Sequence, residues 1–146
     1  MKRVIEKTDD GSATLFVPEL NEHYHSTKGA RTESQHIFIN MGLKASDSPS
    51  PHILEIGFGT GLNAFLTLIE ARENQRKVVF HTFEKYPLTP QEVEKINYSD
   101  LFTPEDTPFF QQLHNTPWEE DVVITPYFTL HKHQADFEEV NFHEYF

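Results

Sequence analysis

Three glycines stand within five positions, Gly57, Gly59 and Gly61, directly after the apolar run that begins at His52. Half of the six glycines of the chain lie there. Glycine permits a tight turn between a strand and a helix, and it lets the backbone come close to a ligand. The first N–H groups of the following helix are available to that ligand as well. The flanking pattern favours nucleotide binding over a tight turn without a ligand.

Two carboxylates narrow the choice of ligand. Glu84 follows Gly61 by 23 positions. An acidic side chain at about this spacing accepts hydrogen bonds from both ribose hydroxyls and rejects a 2′-phosphate. NADP is therefore disfavoured, while NAD, FAD and S-adenosylmethionine remain. Glu55 and the Gly-x-Gly-x-Gly spacing favour S-adenosylmethionine, whose cationic sulfonium and amino groups suit an acidic pocket. The alternative for Glu84 is an ion pair with Lys85.

Further residues are expected around the same pocket. Asp136 falls just after the third strand of the predicted sheet, where the loops of a doubly wound fold surround the ligand. It could accept a hydrogen bond from an adenine amino group, and the alternative is that it caps a helix beginning at Phe137. Tyr24, His25 and Ser26 are expected to cover the pocket as an N-terminal lid.

The nine histidines suggest a rival hypothesis. His23 and His25, with Glu22, form one group that could bind zinc or another divalent ion, if alternate residues of a strand face one way. His131 and His133, with Asp136, form a second such group. Either group would make the chain a metal-dependent hydrolase. Because no His-Glu-x-x-His motif is present, and such pairs are more often surface features, we expect no metal.

The hydrophobic pattern predicts the elements that position these residues. Predicted strands cover 13–18, 52–57, 78–84 and 122–133, and Pro126 forces a bend or an edge position in the last. Predicted helices cover 33–42, 62–73, 89–96 and the segment after Thr103, which carries Phe109, Phe110 and Leu113 inward. The run 52–57 is expected to be buried on both faces. This order is that of βαβ units, so the class is α/β with a mostly parallel, Rossmann-like sheet.

Composition excludes several classes of protein. The 146 residues, 37% of them hydrophobic, suffice for one packed core. A net charge of −11 repels phosphate backbones, and the absence of cysteine excludes disulfides, thiolate zinc sites and cysteine nucleophiles. Without a signal peptide or an apolar span, a cytoplasmic protein is expected. A linker over 44–51 divides an N-terminal β/α extension and lid, 1–50, from a cofactor-binding half, 51–146.

Three separated motifs together resemble the MnmC/MnmD family. They are Glu-Ile-Gly-Phe-Gly-Thr-Gly-Leu-Asn over 55–63, Phe-Glu-Lys-Tyr-Pro-Leu over 83–88, and Asn-Glu-His-Tyr-His-Ser over 21–26, followed by Gly29-Ala30 and Glu33-Ser34. The resemblance implies a class I methyltransferase fold and S-adenosylmethionine-dependent methylation of the aminomethyl group on wobble 2-thiouridine in bacterial tRNA. It implies a cofactor site made of Glu55, Gly57, Phe58, Gly59, Thr60, Gly61, Asn63, Glu84, Lys85 and Asp136.

The sequence departs from that family in two places. Ala135 precedes Asp136 where the family usually has glycine. The family's acceptor-side strand, with Asp-(Ala or Gly)-Phe-(Ala or Ser)-Pro, does not occur before Phe146, so no catalytic residue is assigned and the chain alone is expected to be inactive, in the extreme a non-catalytic cofactor-binding fragment. The incomplete sheet is expected to leave an open edge that could pair with a second copy. Lys28 and Arg31 are the local candidates for contacts with tRNA.

Overall fold

The computed structural model describes residues 48–96 and 102–135, together with the backbone of three short N-terminal strands. Those strands are β1 (Val4–Lys7), β2 (Ala13–Val17) and β3 (Glu22–His23), and they form an antiparallel sheet in the order β1-β2-β3. The strand predicted over 13–18 is confirmed as β2. Outside the described residues lie the helix predicted over 33–42, the lid residues Tyr24, His25 and Ser26, and Asp136.

A second sheet forms the core and has the order β4-β5-β7-β6. Its strands are β4 (His52–Ile56), β5 (Val78–Phe83), β6 (Asp121–Thr125) and β7 (Phe128–His133). Strands β4, β5 and β7 are parallel, whereas β6 is antiparallel to β7. The predicted α/β class with a mostly parallel, Rossmann-like sheet is therefore confirmed.

Three helices lie on one face of this sheet. They are α1 (Leu62–Glu73), which connects β4 to β5, and α2 (Pro90–Glu94) and α3 (Thr107–Asn115), which lie between β5 and β6. Right-handed crossovers between parallel strands put the helices on the same side. Phe65 of α1 meets Phe110 of α3 at a ring distance of 5.5 Å within the buried core. None of the described helices is long and apolar enough to cross a membrane.

The two predicted helix starts have different outcomes. Thr89 caps α2 with a full capping box, because its hydroxyl accepts from the Glu92 N–H (3.2 Å) and the Glu92 carboxylate accepts from the Thr89 N–H (3.0 Å). Thr103 instead lies in a turn that precedes α3. Phe110 and Leu113 are buried as predicted, so the helical pattern identified the correct face of α3 even where its start was misplaced.

The extended segment predicted over 122–133 is two strands. β6 and β7 form an antiparallel hairpin whose turn contains Pro126 and Tyr127, so the prediction of one continuous strand is wrong in its topology. The strand that ends before Pro126, β6, does lie at an edge of the sheet, one of the two alternatives that Pro126 predicted. Proline has no N–H and a fixed φ, and at this position it ends the hydrogen-bond ladder. The Thr125 hydroxyl accepts the Tyr127 N–H (3.1 Å) within the turn.

The prediction that 52–57 is buried on both faces is also wrong. In the part of the chain that the structure describes, β4 pairs with β5 alone and forms one edge of the sheet. Leu54 and Ile56 are 43% and 54% exposed, whereas Glu55, on the side of the helices, is buried. An apolar run cannot reveal whether other segments cover both faces of a strand. The edge position of β4 agrees with the open edge predicted from the sequence. Pairing of this edge with a second copy stays a prediction.

Candidate functional site

The glycine loop, residues 57–61, joins the carboxyl end of β4 to α1. Gly57, Gly59 and Gly61 have φ values of 88°, 57° and 82°. Residues with a Cβ rarely adopt this left-handed region, so the loop has its shape because glycine stands at each position. The Gly57 N–H donates to the Phe83 carbonyl (2.7 Å), and the Gly61 N–H donates to the Phe58 carbonyl (3.0 Å). The loop is thereby held against the carboxyl end of β5.

Gly57 and Gly61 have different surroundings. A Cβ at Gly57 would meet no described atom within 4 Å. A Cβ at Gly61 would lie 3.0 Å from Nε2 of His114 and 3.1 Å from Cζ of Phe58. Gly61 is therefore needed for internal packing, whereas Gly57 borders a space that no described residue fills, from which a ligand can approach the backbone.

Glu84 lies against the glycine loop. Its Oε1 accepts a hydrogen bond from the Gly59 N–H (2.9 Å), and its Oε2 accepts one from the Tyr86 N–H (3.2 Å). A carboxylate has about four acceptor positions, so two remain for ribose hydroxyls. The next residue, Lys85, is exposed, and its Nζ lies 5.5 Å from the centre of the Tyr86 ring. The ribose role of Glu84 and the cofactor role of Lys85 stay predictions.

Glu55 is buried beneath the loop and its protonation differs from that of a surface carboxylate. Its Oε1 accepts a hydrogen bond from the Thr82 hydroxyl (2.8 Å), and the Asn63 side chain also bonds to it. Burial raises the pKa of Glu55 to about 8, although these two hydrogen bonds lower it, and the negative charge of Glu84 raises it further. At neutral pH Glu55 is therefore mostly protonated in the folded protein, where the sequence argument assumed a negative charge.

Asn63 presents an unused acceptor at the start of α1. Its Oδ1 is buried and has no hydrogen-bond partner among the described residues. An unsatisfied buried polar atom costs about 1–3 kcal/mol. A ligand that brings an N–H or O–H donor to this atom would recover that free energy, which is a reason to place the predicted cofactor site here.

His114, at the end of α3, anchors the glycine loop, and sequence reasoning missed it. Its Nε2 lies 2.8 Å from the Thr60 carbonyl oxygen. Because a carbonyl only accepts, Nε2 carries the proton. Burial lowers the pKa of His114 to about 4, so the ring is neutral. The helical period places His114 one turn after Phe110, on the inner side of α3, but its partner lies too far away in the chain for a pattern to reveal.

Lys132 and Trp118 form a second group that sequence reasoning missed. Lys132 is buried on the helix side of β7, its Nζ donates to the His114 carbonyl (3.2 Å), and it lies 4.6 Å from the Trp118 ring centre. Burial lowers the pKa of Lys132 to about 8. Phe58, predicted to line the cofactor, packs edge-on against Trp118 at 6.4 Å. The Phe58 side chain also lines a cavity of about 330 Å³ between the glycine loop, α2 and α3.

Comparison with known proteins identifies the family. No family model matches the sequence. The tRNA 5-methylaminomethyl-2-thiouridine biosynthesis bifunctional protein MnmC of Polaromonas naphthalenivorans is 30% identical over 126 residues, which cover 81% of this chain. The MnmC of Delftia acidovorans is 35% identical over 96 residues, or 61% of this chain. The crystal structure of MnmC2 from Aquifex aeolicus matches 96% of this chain with a TM-score of 0.70 and 26% identity.

This chain belongs to the MnmC family. The resemblance carried by the glycine loop and the two other motifs is thereby confirmed. The chain spans 19% of the length of the Polaromonas MnmC, 14% of the Delftia MnmC and 46% of the MnmC2 chain. What the whole relatives do therefore applies to this MnmC-type chain only as a hypothesis.

We predict that Gly61→Ala destabilises the protein more than Gly57→Ala. Both substitutions carry the strain of a positive φ, but only the Cβ at position 61 would overlap His114 and Phe58. Overpacking of this kind costs about 1–3 kcal/mol in the free energy of unfolding, which urea denaturation measures. In a His114→Ala background the difference between the two alanine variants should shrink. Equal losses at both positions would contradict the packing role of Gly61.

We predict that Glu55 makes stability fall as the pH rises. The unfolded chain releases the proton near pH 4.5, whereas the folded protein holds it to about pH 8. Between these values the folded state loses up to about 1.4 kcal/mol of stability per pH unit through this group. The stability advantage of Glu55→Gln over the natural protein should therefore grow from pH 5 to pH 8 in thermal denaturation.

A second variant tests the same interpretation of Glu55. Thr82→Val keeps the side-chain shape and removes the hydroxyl that stabilises the carboxylate. Without this hydroxyl the pKa of Glu55 in the folded protein should rise further. The pH range over which stability falls should therefore extend to higher pH. If the stability difference between Glu55→Gln and the natural protein does not vary with pH, Glu55 does not hold a proton in the folded state.

Proposed function

We propose that this chain forms the S-adenosylmethionine-binding half of a methyltransferase that acts on the aminomethyl group of wobble 2-thiouridine in tRNA. One observation carries the proposal: the open space beside Gly57, in a loop that the Glu84 carboxylate contacts. The name of the MnmC relatives supports the choice of substrate, because it describes the biosynthesis of 5-methylaminomethyl-2-thiouridine in tRNA.

The residues around the loop suit an adenosyl cofactor that carries positive charge. Glu84 has acceptor positions left for the two ribose hydroxyls. The Oδ1 of Asn63 lacks a partner among the described residues and can accept from a cationic amino group. Glu55 lies within hydrogen-bond contact of Asn63. When bound, S-adenosylmethionine supplies a methyl group attached to a sulfonium, and the carbon of that methyl group is the atom that an amine can attack.

The contribution of this chain is to hold and orient the cofactor. Methyl transfer needs an unprotonated amine in line with the methyl carbon, so positioning accounts for much of the rate. The glycine loop is suited to this because His114 and Phe83 hold its backbone from two sides. A cationic ligand near Glu55 favours the carboxylate over the acid. Cofactor binding near neutral pH should therefore release a proton from Glu55.

The first test is cofactor binding measured by isothermal titration. S-adenosylmethionine and S-adenosylhomocysteine should bind, whereas NAD should not. Glu84→Gln should weaken binding by about 1–3 kcal/mol, or roughly 5- to 150-fold, because ribose hydroxyls lose a charged acceptor. Glu73→Gln, at the exposed end of α1, is the matched control and should bind as the natural protein does. Unchanged affinity in Glu84→Gln would remove the ribose assignment.

The second test is methyl transfer to tRNA isolated from cells that lack the modification. We expect transfer from labelled S-adenosylmethionine when this chain is joined to the acceptor-side segment that the family resemblance implies. Gly57→Ala in that protein should lower the rate, because the added Cβ enters the space beside the loop. Transfer to another position of the tRNA, or none, would overturn the substrate assignment and leave cofactor binding standing.

A further inference from the structure

Three histidines converge on the face of the core sheet that is opposite the helices. His81 lies on β5, and His131 and His133 lie on β7. His81 and His131 are partners in the parallel register, and His133 points the same way as His131 because side chains alternate along a strand. One ring nitrogen from each lies within 4.8 Å of the others. These three residues are called the histidine cluster.

Two carboxylates orient two of these rings from outside. Nδ1 of His131 lies 2.7 Å from Oδ1 of Asp121, and Nδ1 of His133 lies 3.2 Å from Oε2 of Glu119. A carboxylate only accepts, so each Nδ1 carries a proton, and Nε2 is the atom that carries the lone pair in each neutral ring. Metal-binding histidines are held in this way by carboxylates.

The inner nitrogens of the cluster differ in their hydrogen bonding. Nε2 of His131 is buried and has no hydrogen-bond partner in residues 48–96 and 102–135. Nε2 of His133 lies 3.2 Å from Nδ1 of His81 and accepts a hydrogen bond from it, because the proton of the neutral His133 ring is on Nδ1. A metal ion bound between these two atoms would take the place of the shared proton, and it would also satisfy the buried nitrogen of His131.

The protonation of the rings agrees with this geometry. Burial lowers the pKa of His81, and the neighbouring histidines lower it further. Burial also lowers the pKa of His133, although Glu119 opposes the shift. Both rings are therefore neutral at pH 7, which is the form in which imidazole binds metals.

We propose that His81, His131 and His133 bind a divalent transition-metal ion such as zinc on the face of the sheet opposite the helices. Imidazole ligands suit zinc, copper, nickel and iron, and no cysteine competes for them. A tetrahedral zinc site with bonds of about 2.0–2.1 Å needs nitrogens about 3.3 Å apart and a metal in the plane of each ring. The three ring planes lie within 20° of one another and the His131 ring stacks on that of His133 at 4.0 Å, so the His131 ring must rotate out of this stack to bind. A water molecule or an exposed carboxylate completes the coordination.

This site differs from the metal groups considered from the sequence. That hypothesis joined His131 and His133 to Asp136, whereas the structure joins them to His81 on the neighbouring strand. His25 lies outside the described residues, and so does the side chain of His23. The metal would link β5 to β7, so its expected role is to stabilise the sheet beneath the glycine loop. The proposal does not depend on methyl transfer.

The test begins with the chain stripped of metal by a chelator. Isothermal titration should detect one tightly bound zinc per chain, and cobalt in its place should give the visible absorption of a tetrahedral site. His81→Gln, His131→Gln and His133→Gln should each abolish the cobalt spectrum. His52 is an exposed histidine of β4 on the same face of the sheet as the histidine cluster. His52→Gln is therefore the matched control, and it should keep the cobalt spectrum.

Two further measurements separate a metal site from a merely structural cluster. Asp121→Asn removes a carboxylate that orients His131 and should weaken zinc binding about 10- to 100-fold without abolishing it. Circular dichroism of each variant in chelator checks that it folds without metal, and zinc should raise the melting temperature of the natural chain but not that of His131→Gln. Absence of stoichiometric zinc binding, or a cobalt spectrum that survives all three glutamine variants, would overturn the proposal.

Discussion

The backbone contact between the ends of β4 and β5 is the constraint on which the rest of the site depends. The Gly57 N–H donates a hydrogen bond to the Phe83 carbonyl (2.7 Å), and the Gly59 N–H donates one to the Glu84 carboxylate (2.9 Å). Parallel neighbouring strands bring their carboxyl ends to one edge of the sheet, where ligands of such folds bind. Only a loop with glycine at its left-handed positions can approach the neighbouring strand this closely.

The two faces of the core sheet support this edge by different chemistry. On the helix side, α3 holds the loop through His114 and Thr60, and the buried Lys132 holds His114 in turn. On the opposite face, aromatic and imidazole rings stack, with His133 against Phe83 at 4.3 Å. The backbone of Glu84 hydrogen bonds to that of His133 (2.9 Å). Substitutions on either face of the sheet are therefore expected to alter the positions of the residues at the carboxyl ends of its parallel strands.

Two elements show where prediction from the sequence stops. The apolar run of β4 predicts burial on both faces, but it does not contain the segments that would cover each face, so the exposure of Leu54 and Ile56 could not be predicted. Pro126 indicates an interruption of extended structure but not the direction in which the chain continues, and it lies in a hairpin turn. In both cases the outcome depends on contacts with distant segments, which single-sequence patterns do not contain.

The sequence by itself determined the features that arise within a few residues: the glycine loop, the helix α1 after it, the capping box of Thr89 and Glu92, and the position of Glu84 at the end of β5. Glycine's freedom and helix capping are local properties, so their residues are sufficient evidence. The tertiary structure alone decided that His114 holds Thr60, that His81 meets His131 and His133, and that Glu55 keeps its proton. These outcomes follow from burial and from contacts between distant segments, which exist only once the sheet and its helices have packed.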